Sequence, residues 1–299
     1  MNADTLSRIF DQAIAFSKLP RRERIAKRPW FTLSRAFWSR VMALTKYAIP
    51  FSVSGETFWG KKVQLSIPDG SMVYQWGFID GDPEINLAKY YIAHVKPDAV
   101  FFDIGSHFGY YALLADALGA SVHAFEPTPR IFGFLRKSVR GTRVRANNCA
   151  LWDKAGTMDF FDYGPQFGAF NSYLSKTPDT SVNAQTEHTK RKIAVPALTI
   201  DEYVAYEQLG RADFLQIDVE RAETFVLKGA EKTIERFHPV IAVELFGKHW
   251  QDSDNTIIAL LKQYGYHLFV PNAKGLLDVF DEQDRDFIQK NIVAVYGTA

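Results

Sequence analysis

Apolar positions along the chain switch between two periods, and the switching predicts a mixed α/β protein. Val100, Phe101, Phe102 and Ile104 form a short apolar run suited to a strand buried on both faces. Beyond Gly105 and Gly109 the spacing turns helical, with Tyr111, Leu114, Ala115 and Leu118 on one side. Further strands are predicted at 121–125, 143–147, 193–196, 214–217, 240–243, 267–270 and 292–295. Helices are predicted at 84–95, 199–208, 224–236 and 256–264, the second opened by a capping-box spacing of Thr199 and Glu202. A pair of strands is expected at 148–153 and 156–163 around a turn at 154–156, and a strand or hairpin at 57–67. Residues 165–192 are polar and without period, which reads as a lid or a disordered segment.

The N-terminal stretch differs in character. A helix over 5–19 has the apolar stripe Leu6, Ile9, Phe10, Ala13 and Ile14 and is closed by Pro20. Arg21, Arg22, Arg24, Lys27 and Arg28 follow, then a second amphipathic stretch with Leu33, Phe37, Val41, Leu44 and Ala48 on one face, ending at Pro50. The net charge of +1 hides this asymmetry: residues 1–50 carry ten Lys/Arg against three Asp/Glu, a net +7, leaving residues 51–299 at −6. The chain therefore divides into a basic helical arm, 1–56, and an enzyme-like body, 57–299. Such an arm can lie on an anionic membrane. The plainer reading, which is preferred, packs it on the body or on a twin subunit. Cys149 is the only cysteine, so an intramolecular disulfide and a cysteine zinc site are both excluded. With no signal peptide and no uncharged apolar stretch near 18 residues, the expected location is cytoplasmic, or peripheral to the inner face of the membrane.

The candidate chemistry starts at the glycine turn. Dinucleotide sites use G-x-G-x-x-G, whose second glycine lets the backbone touch a pyrophosphate. His107 occupies that position here. The pattern is Asp103-x-Gly105-x-x-x-Gly109, that of S-adenosylmethionine (SAM) methyltransferases, whose cofactor has no pyrophosphate. A tight turn with no ligand is the alternative. Glu126, at the end of the next strand and followed by Pro127, stands where an acid can accept both ribose hydroxyls.

Several stretches together resemble the FkbM family of SAM-dependent methyltransferases. They are Asp103-Ile-Gly-Ser-His-Phe-Gly109, Ala124-Phe-Glu-Pro-Thr-Pro-Arg130, Asn148-Cys-Ala-Leu151 with Asp153 and Gly156, Val195-Pro196 with Leu198-Thr-Ile-Asp-Glu202, Ile217-Asp-Val-Glu-Arg-Ala-Glu223, Leu227-Lys-Gly-Ala230 and Val243-Glu244. The resemblance implies a class I, Rossmann-like sheet of seven strands and transfer of the SAM methyl to a hydroxyl of a sugar, glycan or secondary metabolite. It assigns Asp103, Gly105 and Gly109 to the methionine end, with Ser106, His107 and Phe108 in the same loop. Glu126 and Pro127 go to the ribose, Asn148 and Ala150 to the adenine, and Asp218 to the transferred methyl. One departure stands out: Arg221 occupies a position where the family pattern has glycine, and either binds an anionic group of the substrate or pairs with Glu220, Glu223 or solvent.

A hydroxyl is a poor nucleophile, so a base beside it helps. Asp218 and Glu244 lie at predicted strand ends, where α/β proteins bind ligands. His249 is a third candidate on position alone, and Glu220, Glu223 and His107 are weaker ones. A divalent metal held by these strand-end carboxylates is conceivable but not favoured, and no ligand set is assigned. An RNA-modifying methyltransferase would want a basic body, and this body is acidic. A non-catalytic SAM-binding protein would be expected to have lost cofactor residues that this chain retains.

Overall fold

The computed structural model describes residues 1–29, 32–33, 36–37, 40–41, 51–164, 167–168, 171–174, 190–247 and 251–297. Helix α1 (Ala3–Ser17) starts at an Asn2 cap whose side chain accepts from the Thr5 amide. Leu6 and Phe10, at the centre of its stripe, are fully buried, Phe10 against Phe58 and Phe78. The first helix of the arm therefore packs on the body. α2 (Arg21–Lys27) buries no side chain. In the second amphipathic stretch Leu33 and Phe37 are exposed, while Leu44 and Ala48 lie outside the described residues.

Strands β1 (Phe51–Glu56) and β2 (Lys62–Ile67) form an antiparallel hairpin, so the strand expected at 57–67 begins later and pairs back into residues 51–56. α3 (Ser71–Trp76) and α4 (Asp82–His94) lead into the main unit: β3 (Val100–Ile104), α5 (Tyr110–Leu118), β4 (Ser121–Phe125), α6 (Pro129–Ser138) and β5 (Arg145–Asn147). Next come β6 (Ala150–Leu151), β7 (Gly156–Asp162), β8 (Arg191–Leu198), α7 (Ile200–Tyr206), β9 (Phe214–Ile217), α8 (Glu223–Lys228) and α9 (Glu231–Phe237). The chain closes with β10 (Val240–Leu245), α10 (Asp252–Gln263), β11 (Tyr266–Pro271), β12 (Leu277–Val279) and β13 (Lys290–Tyr296).

The main sheet has the order β12-β11-β13-β10-β9-β3-β4-β5. β10, β9, β3, β4 and β5 run parallel, while β13 is antiparallel to both β10 and β11. The expected seven strands are all present, and the short β12 adds an eighth by folding back on β11. Three residues, Leu-Asp-Val, are too few for a period to be read. Alternation in the central strand splits the core in two. Phe101 joins Tyr91, Leu114 and Phe214 in one layer, and Phe102 joins Leu215, Ile241 and Tyr203 in the other. The order reverses between β3 and β9, which opens the crevice typical of doubly wound sheets at their carboxyl ends.

Three expectations need correction. The strands at 150–151 and 156–162 do not pair with each other, because β8 lies between them, parallel to β6 and antiparallel to β7. The helix expected at 224–236 is two helices, α8 and α9. Gly229 sits at their junction, so close to the Trp152 carbonyl that a Cβ would lie 2.0 Å from that oxygen. The strand expected at 193–196 spans all of β8, 191–198. Among the described residues no helix is long and apolar enough to cross a membrane.

Candidate active site

The turn after β3 is built by close approaches rather than by flexibility. Gly105 has φ +86°, and a Cβ there would stand 1.8 Å from the carbonyl oxygen of Asp218. Gly109, at φ +89°, would meet Leu135 at 2.7 Å. Both positions demand glycine on backbone and on space. Ser106 is buried and stitches the turn to β4: its Oγ donates to the Asp103 carbonyl at 2.6 Å and accepts from the Phe125 amide at 3.0 Å. The amides of Gly105 and Ser106 both donate to the Phe125 carbonyl, at 3.0 and 2.9 Å. Asp103 is buried, accepts from the Ala112 amide at 2.9 Å, and is pushed up to about 7 by that burial. Phe108 is a core residue edge-on to Phe134, so its side chain is not part of the crevice wall.

His107 takes a left-handed conformation, φ +49°, and its Nε2 lies 3.0 Å from Asp69 Oδ2. Burial lowers the pKa of this imidazole, but the Asp69 charge and hydrogen bond, with Glu126 and Asp218 beyond, leave it raised overall. The backbone amide of His107 donates to Glu126 Oε2 at 3.2 Å, and the Thr128 amide donates to Oε1 at 2.8 Å. Glu126 is thus fixed at the crevice beside the glycine turn. Burial raises its pKa, against the opposing pull of His107 and Thr128. Asn148 donates to the carbonyls of Glu126 and Pro127, at 2.8 and 3.0 Å, and so holds the loop after β4 in place. Ala150 is buried in β6 two residues further on.

The opposite wall lies at the ends of β9 and β10. Ile217 and Val243 are register partners, which brings Asp218 and Glu244 side by side. Asp218 is open to solvent, yet the protein mass around it, then the charges of Glu84, Glu223 and Asp103, push its carboxyl up to about 7. Glu244 is raised well above the usual carboxylate range by burial and by Asp218 and Glu220, and Glu220 likewise by burial and by Asp218. Glu223 is buried and accepts from the amides of Val219 and Arg221, each at 3.3 Å, so it closes the loop that follows β9. Burial pushes it up to about 7.

Arg221 is not where an anion reader would need to be. It is buried, donates to Asp254 Oδ2 at 2.8 Å and lies 4.2 Å over the Phe246 ring. Its guanidinium forms an ion pair to α10, which the sequence did not suggest, while its charge still acts on Glu220 and Glu223. Its φ of +78° explains why glycine suits this position. His249 lies outside the described residues. Of the aromatics between 160 and 173, Tyr173 packs with Trp152 and Phe225, and its hydroxyl donates to the Arg221 carbonyl at 3.3 Å. Among the described residues no group of His, Cys, Asp and Glu has the arrangement of a metal site.

Two crevice residues escaped the sequence. Asp69 sits in an ordinary-looking turn after β2, and Glu84 sits in the first turn of α4, where an acid is common for helix-dipole reasons alone. Glu84 Oε2 accepts from the Tyr111 hydroxyl at 2.6 Å and Oε1 from Asn291 Nδ2 at 2.8 Å. No local signal distinguishes either acid.

A doubly wound sheet with an antiparallel strand between its last two members, a glycine turn at the switch point and an acid at the end of the second strand define a SAM-dependent methyltransferase of class I. The family model described as "Methyltransferase FkbM domain" matches residues 103–268, and the chain belongs to that family. It is similar to the 31-O-demethyl-FK506 methyltransferase FkbM of Streptomyces tacrolimicus, 28% identical over 213 residues, which cover 61% of this chain and 79% of that protein. It is also similar to the hexuronic acid methyltransferase AglP of Haloferax volcanii, 25% identical over 167 residues, covering 56% of this chain and 64% of that protein. Among solved structures, methyltransferase FkbM from Methylobacillus flagellatus aligns with a TM-score of 0.42 at 14% identity, over 67% of this chain and 44% of that one.

Proposed function

We propose that the protein methylates a hydroxyl group of a small molecule, a sugar, glycan or secondary metabolite. The observation that carries the reading is the pair of strand-end carboxylates, Asp218 and Glu244, facing a crevice whose other side is the glycine turn. The relatives' names, a 31-O-demethyl-FK506 methyltransferase and a hexuronic acid methyltransferase, support it. The residues present fit the cofactor. Gly105 and Gly109 leave the turn without side chains, and Glu126 is held at the end of β4 by two backbone amides.

In this reading Asp103 and the turn 105–109 hold the methionine end, and Glu126 accepts hydrogen bonds from the ribose. The loop pinned by Asn148, with Ala150, borders the adenine. SAM, when bound, supplies a methyl on a positively charged sulfur. Asp218 orients the acceptor hydroxyl and takes its proton, helped by the raised proton affinity that its neighbours give it. Glu244 stands beside it as the second carboxylate. Much of the rate would come from alignment, since the displacement is in line.

The test is incubation of the protein with methyl-labelled SAM and fractionated extract, followed by mass spectrometry. A methyl ether on a small molecule or glycan supports the reading. Label appearing only in RNA, or tight SAM binding without turnover, overturns it.

For the arm, we propose contact with an anionic bilayer through the segment after α1, since Arg21, Arg22, Lys27 and Leu33 are all exposed there. Salt-sensitive binding to anionic vesicles supports this. Concentration-dependent dimerisation without vesicle binding replaces it.

A further inference from the structure

Glu84 comes from outside the family-matched region 103–268, and so does Asn291, which holds it. Asn291 is the cross-strand partner of Glu244 in β13. Glu244 in turn follows Val243, the partner of the residue before Asp218. Glu84, Glu244 and Asp218 are thereby gathered at one edge of the crevice, across the ends of β13, β10 and β9. The Tyr111 and Asn291 hydrogen bonds use both Glu84 oxygens, so its carboxylate cannot swing away without losing one of them.

The charge collected there is one-sided. Asp218 is faced by Glu84 from α4, Glu223 from α8, Glu220 from its own loop, Glu244 from β10 and Asp103 from β3. Among the described residues, His107, itself paired with Asp69, is the group that pulls on Asp218 from the cationic side, and Arg221 acts in the same sense on Glu220 and Glu223. Arg221, the nearest arginine in sequence, is committed to Asp254. Among the described residues none of Glu84, Asp218 and Glu244 forms an ion pair with lysine or arginine.

We infer that Glu84 is a specificity-determining residue at the methyl end of the cofactor site, where its fixed carboxylate, together with Asp218, makes the crevice select the cationic sulfonium of SAM over the neutral thioether of S-adenosylhomocysteine. The two ligands differ there by one methyl and one unit of charge. A nearby uncompensated carboxylate acts on that charge and not on the shared adenosine or amino-acid groups. Loss of the methyl removes the attraction, so the same residue favours exchange of spent for fresh cofactor. The inference rests on the cofactor class and not on the acceptor's identity.

Calorimetry on the full chain tests it, with SAM, S-adenosylhomocysteine and sinefungin, an analogue that carries an ammonium at the methyl position. At pH 8 and low salt Glu84→Gln should lower the SAM-to-homocysteine affinity ratio roughly three- to tenfold, with sinefungin following SAM. Affinity for S-adenosylhomocysteine itself should be unchanged. An unaltered ratio overturns the inference, and so does equal weakening of all three ligands, which is what a structural role predicts. Should Glu84→Gln fail to fold, Glu84→Asp keeps the charge but withdraws it from the crevice. The ratio should again fall, and a wild-type ratio overturns the inference. Absence of binding by every ligand would instead sink the cofactor assignment.

Discussion

The carbonyl oxygen of Asp218 occupies the space where a side chain on Gly105 would begin, 1.8 Å from the position of its Cβ. The glycine turn after β3 and the end of β9, the proposed cofactor and acceptor sides of the site, are therefore in backbone contact. Gly105→Ala must separate them and also force alanine to φ +86°. The variant should lose more than about 2 kcal/mol of unfolding free energy, together with SAM binding. Denaturant melts and calorimetry check this, and a variant as stable as wild type would show that the two loops are not in contact.

Glu126→Ala removes a carboxylate that two backbone amides hold in place. SAM affinity should drop markedly, since each charge-assisted hydrogen bond to the ribose is worth about 1.5–3 kcal/mol. Unchanged affinity in a folded variant would remove Glu126 from the site.

Asp218→Asn keeps the shape and removes the proposed base. Turnover should fall by about 10²–10⁴-fold. SAM affinity should fall far less. With its carboxyl pushed up to about 7, Asp218 acts as a base only when deprotonated, so wild-type turnover should rise with pH through about 7. If Asp218→Asn retains full turnover, the base is Glu244 or His249.

Asp103 gives the cofactor-free protein a pH signature. Its folded carboxyl is raised to about 7 by burial, above its unfolded value, so the folded state binds the proton more tightly. The stability from this group is fully present below about pH 4 and lost as pH rises through about 7. Asp103→Asn should flatten the fall of Tm across that window. An identical pH slope in both proteins would mean that Asp103 titrates normally.

Arg221→Gly relaxes the backbone at φ +78° but strands Asp254 in the interior. Breaking one side of a buried pair typically costs about 3–5 kcal/mol, and the double variant Arg221→Gly/Asp254→Asn should recover much of it. Acceptor KM in the double variant should match wild type. A raised KM there would restore Arg221 to substrate binding.

What the sequence determined by itself was whatever is encoded locally. The run 100–104 and the turn at Gly105 and Gly109 announce strand, tight turn and helix through hydrophobic period and glycine spacing. Glu126 is recognisable because it ends the next strand, and the capping box at Thr199 and Glu202 forms as its spacing implies. The family and the cofactor follow from such short segments in series. Tertiary structure decided the rest, because pairing partners and buried charges depend on residues far apart in the chain. β8 slips between β6 and β7 although 156–162 follows 150–151 directly. The Arg221 guanidinium hydrogen-bonds to Asp254, 33 residues on, a partner that the acids beside it in sequence gave no sign of. Glu84 meets Asn291 across 207 residues, and only the sheet, by running β13 antiparallel to β10, carries that amide to the acid and the acid to the crevice. A helix-capping glutamate and a site glutamate look identical in sequence; the strand packed against them makes the difference.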